Sequence, residues 1–101
     1  MYTRFEWDPD KDGLNRRKHG VGFDLAMRVF SDPLAMSRQD RIEDGEMRWQ
    51  TIGMVDGLVM LVVAHTYRDD LDAGPPVEII RIISARRADR SERRRYEEDS
   101  D

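Results

Sequence analysis

Cysteine is absent from this sequence of 101 residues, which excludes a disulfide framework and any metal site built on thiolates. No apolar stretch approaches the ~20 residues that a membrane-spanning helix needs, and the longest one, residues 58–64, suits a buried strand. Residues 1–4 lack the apolar core of a secretion signal. Together these absences predict a cytoplasmic protein that has no membrane partner.

Charged residues are plentiful but unevenly placed. The formal net charge is -4 and the pI is near 5.2, which argues against a generic nucleic-acid coat, because such proteins are basic. Between positions 81 and 95, however, seven arginines stand against two acids, and Arg16, Arg17 and Lys18 form a second basic cluster. The local field of a patch decides what it binds, so both segments are candidate anion-binding surfaces.

The sequence pattern of the N-terminal third predicts a short strand at residues 5–7, followed by two helices. Asp8 can cap free backbone donors and Pro9 suits the first helical position, so the first helix begins here and ends at Gly20. The second helix begins at Gly22. Its apolar stripe consists of Phe23, Ala26, Met27 and Phe30. Asp32 and Pro33 mark its end.

The middle of the chain predicts an antiparallel run of strands. Residues 34–41 form a strand or an extended loop, and strands follow at 48–55, 58–67 and 77–84. Asp56 and Gly57 predict a two-residue hairpin in which Val55 pairs with Leu58. That register places Arg48 opposite His65, on one face of the sheet.

A last helix is predicted from about Asp89, where Asp89 and Glu92 have the spacing of a capping box. The order of elements predicts a single α+β domain over residues 1–101. Its antiparallel β-sheet is accompanied by two N-terminal helices and one C-terminal helix.

Several segments, taken in order, resemble the BrnT toxin family over nearly the whole chain. In the first half they are Phe5-Glu6-Trp7-Asp8-Pro9 with Lys11, Asn15, Lys18-His19-Gly20-Val21, Phe23, Ala26, Val29-Phe30 and Asp32-Pro33. In the second half they are Arg48 with Ile52-Gly53, Arg81-Ile82-Ile83-Ser84-Ala85-Arg86-Arg87-Ala88, Glu92-Arg93 and Tyr96. A single motif of this kind is weak evidence, whereas the ordered set is specific.

The resemblance implies a RelE-like fold and an endoribonuclease activity that inhibits translation and arrests growth. It also implies neutralisation by BrnA, a ribbon-helix-helix antitoxin, and repression of the shared operon by the complex, which would reach operator DNA through the antitoxin. No cofactor is expected. A metal site is disfavoured because the sequence has only two histidines and no metal-binding motif.

Cleavage of RNA without a metal needs a base for the 2′-hydroxyl proton, an acid for the leaving oxygen and fixed cations for the phosphorane charge. Arg48 is interpreted as a phosphate clamp and His65 as a proton shuttle. The alternative is an arginine at the rim of the sheet beside a histidine that hydrogen-bonds locally. Repulsion from Arg48 is expected to lower the pKa of His65.

Other cations complete the hypothesis. Lys18 and His19 are candidates for a direct catalytic role, although cations in the last turn of a helix also offset its dipole. Arg86 is a catalytic candidate whose alternative role is to pair with a nearby carboxylate. The expected substrate-binding residues are Arg81, Arg87 and Arg90.

A rival interpretation is a non-catalytic module that binds an acidic partner through the basic C-terminal helix. A DNA-binding subunit is disfavoured, because no helix-turn-helix pattern stands out.

Overall fold

The computed structural model describes residues 2–72 and 74–99. Its strands are β1 (Tyr2–Glu6), β2 (Met36–Glu43), β3 (Glu46–Val55), β4 (Val59–Asp70) and β5 (Val77–Arg87). Its helices are α1 (Pro9–His19), α2 (Phe23–Ala26), which continues as a 3-10 helix (Met27–Ser31), and α3 (Arg90–Asp99). The α+β class is confirmed, and residues 34–41 fall largely within a strand, which was one of the two alternatives.

The five strands form one sheet in the order β1-β5-β4-β3-β2. Four consecutive strands are antiparallel, as predicted, but β1 runs parallel to β5. The parallel pair is possible because the chain between β1 and β5 carries the helices and the rest of the sheet. β1 therefore covers only the first half of β5, where Tyr2 pairs with Val77 and Glu6 with Arg81.

One face of the sheet, called here the helix face, packs against α2 and the 3-10 helix. The apolar side chains of the core between them include Phe23, Ala26, Val29, Leu61, Val63, Ile82 and Ala85. Gly53 lets the 3-10 helix approach closely, because a Cβ at this position would lie 2.7 Å from Cγ1 of Val29. The predicted apolar stripe is thus confirmed, although the helix that carries it tightens to 3-10 geometry after Ala26.

Helix α1 has the predicted bounds and is stabilised mainly at its ends. The Asp8 side chain accepts a hydrogen bond from the backbone N–H of Asp10, and Gly20 ends the helix with φ 71°. Acidic residues lie in the first turn and basic residues in the last, as the helix dipole favours.

A buried asparagine fastens α1 to the sheet. The Asn15 side-chain amide donates to the backbone carbonyls of Val21 at 2.7 Å and Ala85 at 2.8 Å, and its oxygen accepts from the Ala85 N–H at 3.2 Å. These bonds satisfy the backbone of β5 beyond the end of β1. Helix α1 therefore flanks the second half of β5, as β1 flanks the first.

Asn15→Ala should lower the free energy of unfolding by about 2 kcal/mol, because it leaves buried backbone groups of Val21 and Ala85 without their partner. Urea denaturation measures this change. Arg17→Ala, an exposed position on the same helix, is the control and should change stability by less than about 0.5 kcal/mol. An equal effect of the two substitutions would contradict the role assigned to Asn15.

Two Asp-Gly turns set the registers of the sheet. Asp44 and Gly45 form a two-residue turn in which Glu43 pairs with Glu46, and both turn residues have positive φ. This hairpin was not predicted. At the second turn, Asp56 and Gly57 have positive φ as expected, but Val55 pairs with Val59 rather than with Leu58.

The extra turn residue, Leu58, shifts the predicted register of β3 and β4 by one position. His65 therefore pairs with Trp49. Because neighbouring residues of a strand point to opposite faces, Arg48 lies on the face opposite to His65. The prediction that these two side chains share a face is wrong.

The capping box that opens α3 is confirmed. The Glu92 N–H donates to the Asp89 carboxylate at 2.8 Å, and the Asp89 N–H donates to Glu92 at 2.9 Å. Tyr96 anchors the helix in a second apolar cluster with Ile52, Met60 and Val62. Among the described residues, no helix combines the length and the apolar character needed to cross a membrane.

Candidate active site

The face of the sheet opposite to the helix face is called here the open face, and it carries Arg48, Gln50, Ala64, Thr66, Arg81 and Ser84. The pairing of the strands assigns them to this face, since Ala64 pairs with Gln50 and Ser84, and Thr66 pairs with Arg81. Helix α3 packs at one end, on Ile52 and Val62. Of the six residues, Ser84 is exposed and Thr66 is buried, and the other four are partly exposed.

Two arginines from different strands converge on one carboxylate in this face. Arg81 of β5 donates a hydrogen bond from Nη2 to Oε1 of Glu46 on β3. The Nε of Arg48 lies 3.9 Å from the same oxygen. Thr66 is buried at the paired position between them. We call Glu46, Arg48 and Arg81 the Arg-Glu-Arg cluster.

The guanidinium of Arg48 is poorly satisfied for a group so deeply placed. Its side chain is only 18% exposed, and its buried Nε has no hydrogen-bond acceptor among the described residues. Its ionic contacts, to Glu43 and Glu46, are long, at 4.0 and 3.9 Å. A buried donor without an acceptor is costly and rare, so this position suits an incoming anion.

Further arginines surround the cluster on the same face. The arginines are Arg4 of β1, Arg38 and Arg41 of β2 and Arg68 of β4, and the acids, besides Glu46, are Glu6, Glu43 and Asp70. Arg68 forms a two-pronged ion pair with Glu6, and this hydrogen bonding lowers the pKa of Glu6 and raises that of Arg68. The open face thus has a local excess of positive charge in a chain whose net charge is -4.

His65 lies elsewhere, in the core beneath the helix face. It is completely buried, with the rings of Phe30 and Tyr67 each 4.8 Å away between centroids. Its Nε2 and the Thr51 hydroxyl are hydrogen-bonded at 2.7 Å. Burial lowers its pKa to about 4, so the direction of the predicted shift holds but its cause is desolvation and not Arg48. The structure supports the alternative of a locally hydrogen-bonded histidine.

Lys18 and His19 lie in the last turn of α1, exposed, at the border of the open face. They line a groove together with Ile83 and Ser84 of β5. The groove is adjacent to the open face because Ser84 belongs to both. These two residues therefore lie at the edge of the open face and are not part of the Arg-Glu-Arg cluster.

Arg86 is already paired. It lies at the end of the open face that α3 covers, and its guanidinium donates two hydrogen bonds to the Glu92 carboxylate, at 2.7 and 2.8 Å. The pair raises the pKa of Arg86 and lowers that of Glu92, which is itself buried. Glu92 also caps α3, so Arg86 serves to fix that helix, which was the alternative role considered for it.

The remaining two predicted cations take different places. Arg87 pairs with Leu61, whose side chain belongs to the core of the helix face, so Arg87 is directed away from the open face and from the Arg-Glu-Arg cluster. Arg90 begins α3, where it is exposed and borders a groove with Arg93 and Arg94.

Glu46 is the site residue that the sequence analysis missed. A period-two pattern was present, because Glu46, Arg48 and Gln50 alternate with Met47, Trp49 and Thr51. The Asp44-Gly45 turn, which begins β3 at Glu46, was the second signal. Read together, the two signals place Glu46 and Arg48 on one face.

Comparisons with known proteins identify a family and a similar fold. Residues 7–92 match the profile of a family described as the ribonuclease toxin, BrnT, of type II toxin-antitoxin systems. The fold is similar to the crystal structure of the Brucella abortus ribonuclease toxin BrnT, with a TM-score of 0.56 and 22% sequence identity, over 89% of this chain and 100% of that one. A search of curated proteins finds no match to the sequence.

Proposed function

Because this chain belongs to the BrnT family of ribonuclease toxins of type II toxin–antitoxin systems, we propose that it cleaves RNA at the Arg-Glu-Arg cluster of the open face. The observation that carries this assignment is the convergence of Arg48 and Arg81 on Glu46. Two guanidinium groups can hold a phosphate, and a carboxylate beside them can accept a proton.

The reaction that fits these groups is transfer of the phosphoryl group within the RNA. Glu46 takes the proton of a 2′-hydroxyl, and the oxygen attacks the adjacent phosphorus. The bond to the 5′-oxygen breaks and that oxygen takes a proton from water, leaving a 2′,3′-cyclic phosphate and a 5′-hydroxyl. Arg48 and Arg81 stabilise the charge that gathers on the non-bridging oxygens. In this scheme the guanidinium groups supply the positive charge, so the reaction needs no metal ion.

The ion pair between Arg81 and Glu46 has a function in the absence of RNA. It holds both groups in place and compensates the carboxylate until a phosphate arrives. The phosphate then competes with Glu46 for the guanidinium groups, and this frees the carboxylate to act as a base. The Nε of Arg48 has no acceptor among the described residues, and the phosphate that displaces Glu46 supplies one.

Labelled RNA incubated with the purified chain in EDTA tests the proposal. We expect fragments with 2′,3′-cyclic phosphate ends, and no cleavage where a single 2′-deoxy nucleotide replaces the one at the cut. Arg48→Ala should lower the rate about 10- to 100-fold, because it removes one charged contact to the phosphate. Arg28→Ala, an exposed arginine paired with Asp56 far from the cluster, should leave the rate unchanged.

Three results would count against this chemistry. They are fragments with 3′-hydroxyl ends, cleavage that depends on added metal, and full activity of a folded Arg48→Ala chain. The rival module that only binds a partner predicts no cleavage, either of free RNA or on translating ribosomes.

A type II system includes an antitoxin, and we infer that the partner here is a BrnA-like ribbon-helix-helix protein encoded beside this chain. We propose that it neutralises the toxin in the cytoplasm by covering the open face, and that the complex represses the operon through antitoxin contacts to operator DNA. Co-purification of the two gene products, with loss of RNA cleavage in the complex, tests the pairing. A complex that still cleaves RNA would overturn it.

A further inference from the structure

A shallow row of small or neutral side chains crosses the open face beside the Arg-Glu-Arg cluster. It runs from Gln50 on β3 over Ala64 on β4 to Ser84 on β5, and the pairing of the strands puts the three side by side. Arg38 of β2 extends the row at one end, since it pairs with Gln50 and its guanidinium lies 3.4 Å from the Gln50 side-chain oxygen.

Larger side chains flank this row on one side, and a helix flanks it on the other. Arg48, two residues before Gln50 on β3, and Arg81, three residues before Ser84 on β5, stand along one side. Along the other side the face is covered by α3, which packs on Ile52 and Val62. The row is thus the floor of a trough that runs perpendicular to the strands. With neighbouring strands about 4.8 Å apart, the floor from β2 to β5 is about 14 Å long.

At the β5 end the trough continues onto α1. Ser84 lies at the end of the floor and also lines the groove that contains Lys18 and His19. Asn15 fixes this helix against β5 through its bonds to the Ala85 backbone, so the distance between the groove and the trough is set by the fold.

We propose that single-stranded RNA lies along this trough, across the strands, and that Lys18 and His19 bind phosphates of the nucleotides beyond the one that is cut. This inference rests on the proposed function and assigns the two residues to substrate binding rather than to catalysis. Arg38 marks the opposite end of the same path.

The charges of α1 favour this occupant. The C-terminal end of a helix carries roughly half a negative charge, which repels a phosphate. In this last turn Arg16 is paired with Asp12 and Asp24, whereas Lys18 and His19 are exposed and border the groove. The full positive charge of Lys18 at the groove exceeds the partial negative charge of the dipole, so phosphates of a flexible single strand can follow the groove from the trough.

Binding of 2′-O-methyl RNA, which lacks the hydroxyl needed for cleavage, tests the path. Fluorescence anisotropy at several salt concentrations is measured for probes of about four and about ten nucleotides, because only the longer one reaches α1. Lys18→Ala should weaken binding of the longer probe about threefold and reduce its salt slope by about 0.7, the value for one phosphate contact on a single strand. The shorter probe should be unaffected.

Arg17→Ala is the matched control, because it removes the same charge one residue earlier, at a position outside the groove. It should change neither probe. Equal effects of Lys18→Ala and Arg17→Ala, or equal affinity of the wild-type chain for both probes, would overturn the path. Loss of turnover in Lys18→Ala on a substrate as short as the shorter probe would instead make Lys18 catalytic. Binding along this path without cleavage would leave the inference standing and refute the proposed function alone.

Discussion

Glu46→Gln should slow RNA cleavage by about 10² to 10⁴, the range in which a general base contributes to catalysis. The substitution keeps the shape of the side chain and one hydrogen-bond acceptor for Arg81, so the sheet should remain intact. It removes the group that takes the 2′-hydroxyl proton in the proposed mechanism. Single-turnover cleavage of a labelled oligonucleotide measures the chemical step directly.

Measuring the affinity for RNA as well as the cleavage rate separates an effect on catalysis from an effect on binding. Affinity for uncleaved RNA should be unchanged or higher in Glu46→Gln, because the carboxylate no longer competes with phosphate for Arg48 and Arg81. Glu98→Gln, on the exposed surface of α3, is the control for loss of one negative charge and should behave as wild type. A chain with Glu46→Gln that keeps its full cleavage rate would remove Glu46 from the mechanism.

The features that the sequence predicted well depend on residues a few positions apart. Asp8, Pro9 and Gly20 bound α1, and Asp89 with Glu92 opens α3, as expected. Each is settled by local backbone hydrogen bonds or by one residue's φ angle. The ends of these helices depend little on the rest of the fold, so a single sequence is sufficient to predict them.

Which face of the sheet each side chain occupies could not be predicted as reliably, because the answer depends on how many residues the turn between two strands contains. Placing Leu58 in the turn and not in β4 changes the register of β3 against β4 by one residue. A shift of one exchanges the two faces for every side chain of the strand. His65 therefore moves from the expected site into the core, while Arg48 remains on the open face.

The sequence could not show whether Arg86 binds a phosphate or pairs with a carboxylate, for a different reason. Both of its expected roles use the same property, a guanidinium that binds an anion in two places. Which anion it meets depends on the position of α3, and the capping box places the Glu92 carboxylate within 2.7 Å of it. The arginine count of the C-terminal segment thus overstated the charge available to RNA.

Lowering the pH from 6.5 to 5 should reduce the free energy of unfolding by roughly 2 kcal/mol, and most of this loss should come from His65. Its pKa is about 4 in the folded chain and 6.5 when unperturbed, so between these values only the unfolded chain binds the proton. Stability then rises with pH, by about 1.4 kcal/mol per unit for one proton. Denaturant titrations at several pH values measure the slope.

The two histidines provide an internal control for this slope. His65→Gln removes the buried imidazole while retaining an amide that can bond to Thr51, and its stability should be nearly flat over that interval. His19→Gln changes the exposed histidine at the end of α1 and should keep the wild-type slope. A slope carried by His19 instead would mean that His65 is not held neutral in the core. RNA cleavage by a folded His65→Gln chain should continue, because the imidazole lies on the helix face, away from the Arg-Glu-Arg cluster.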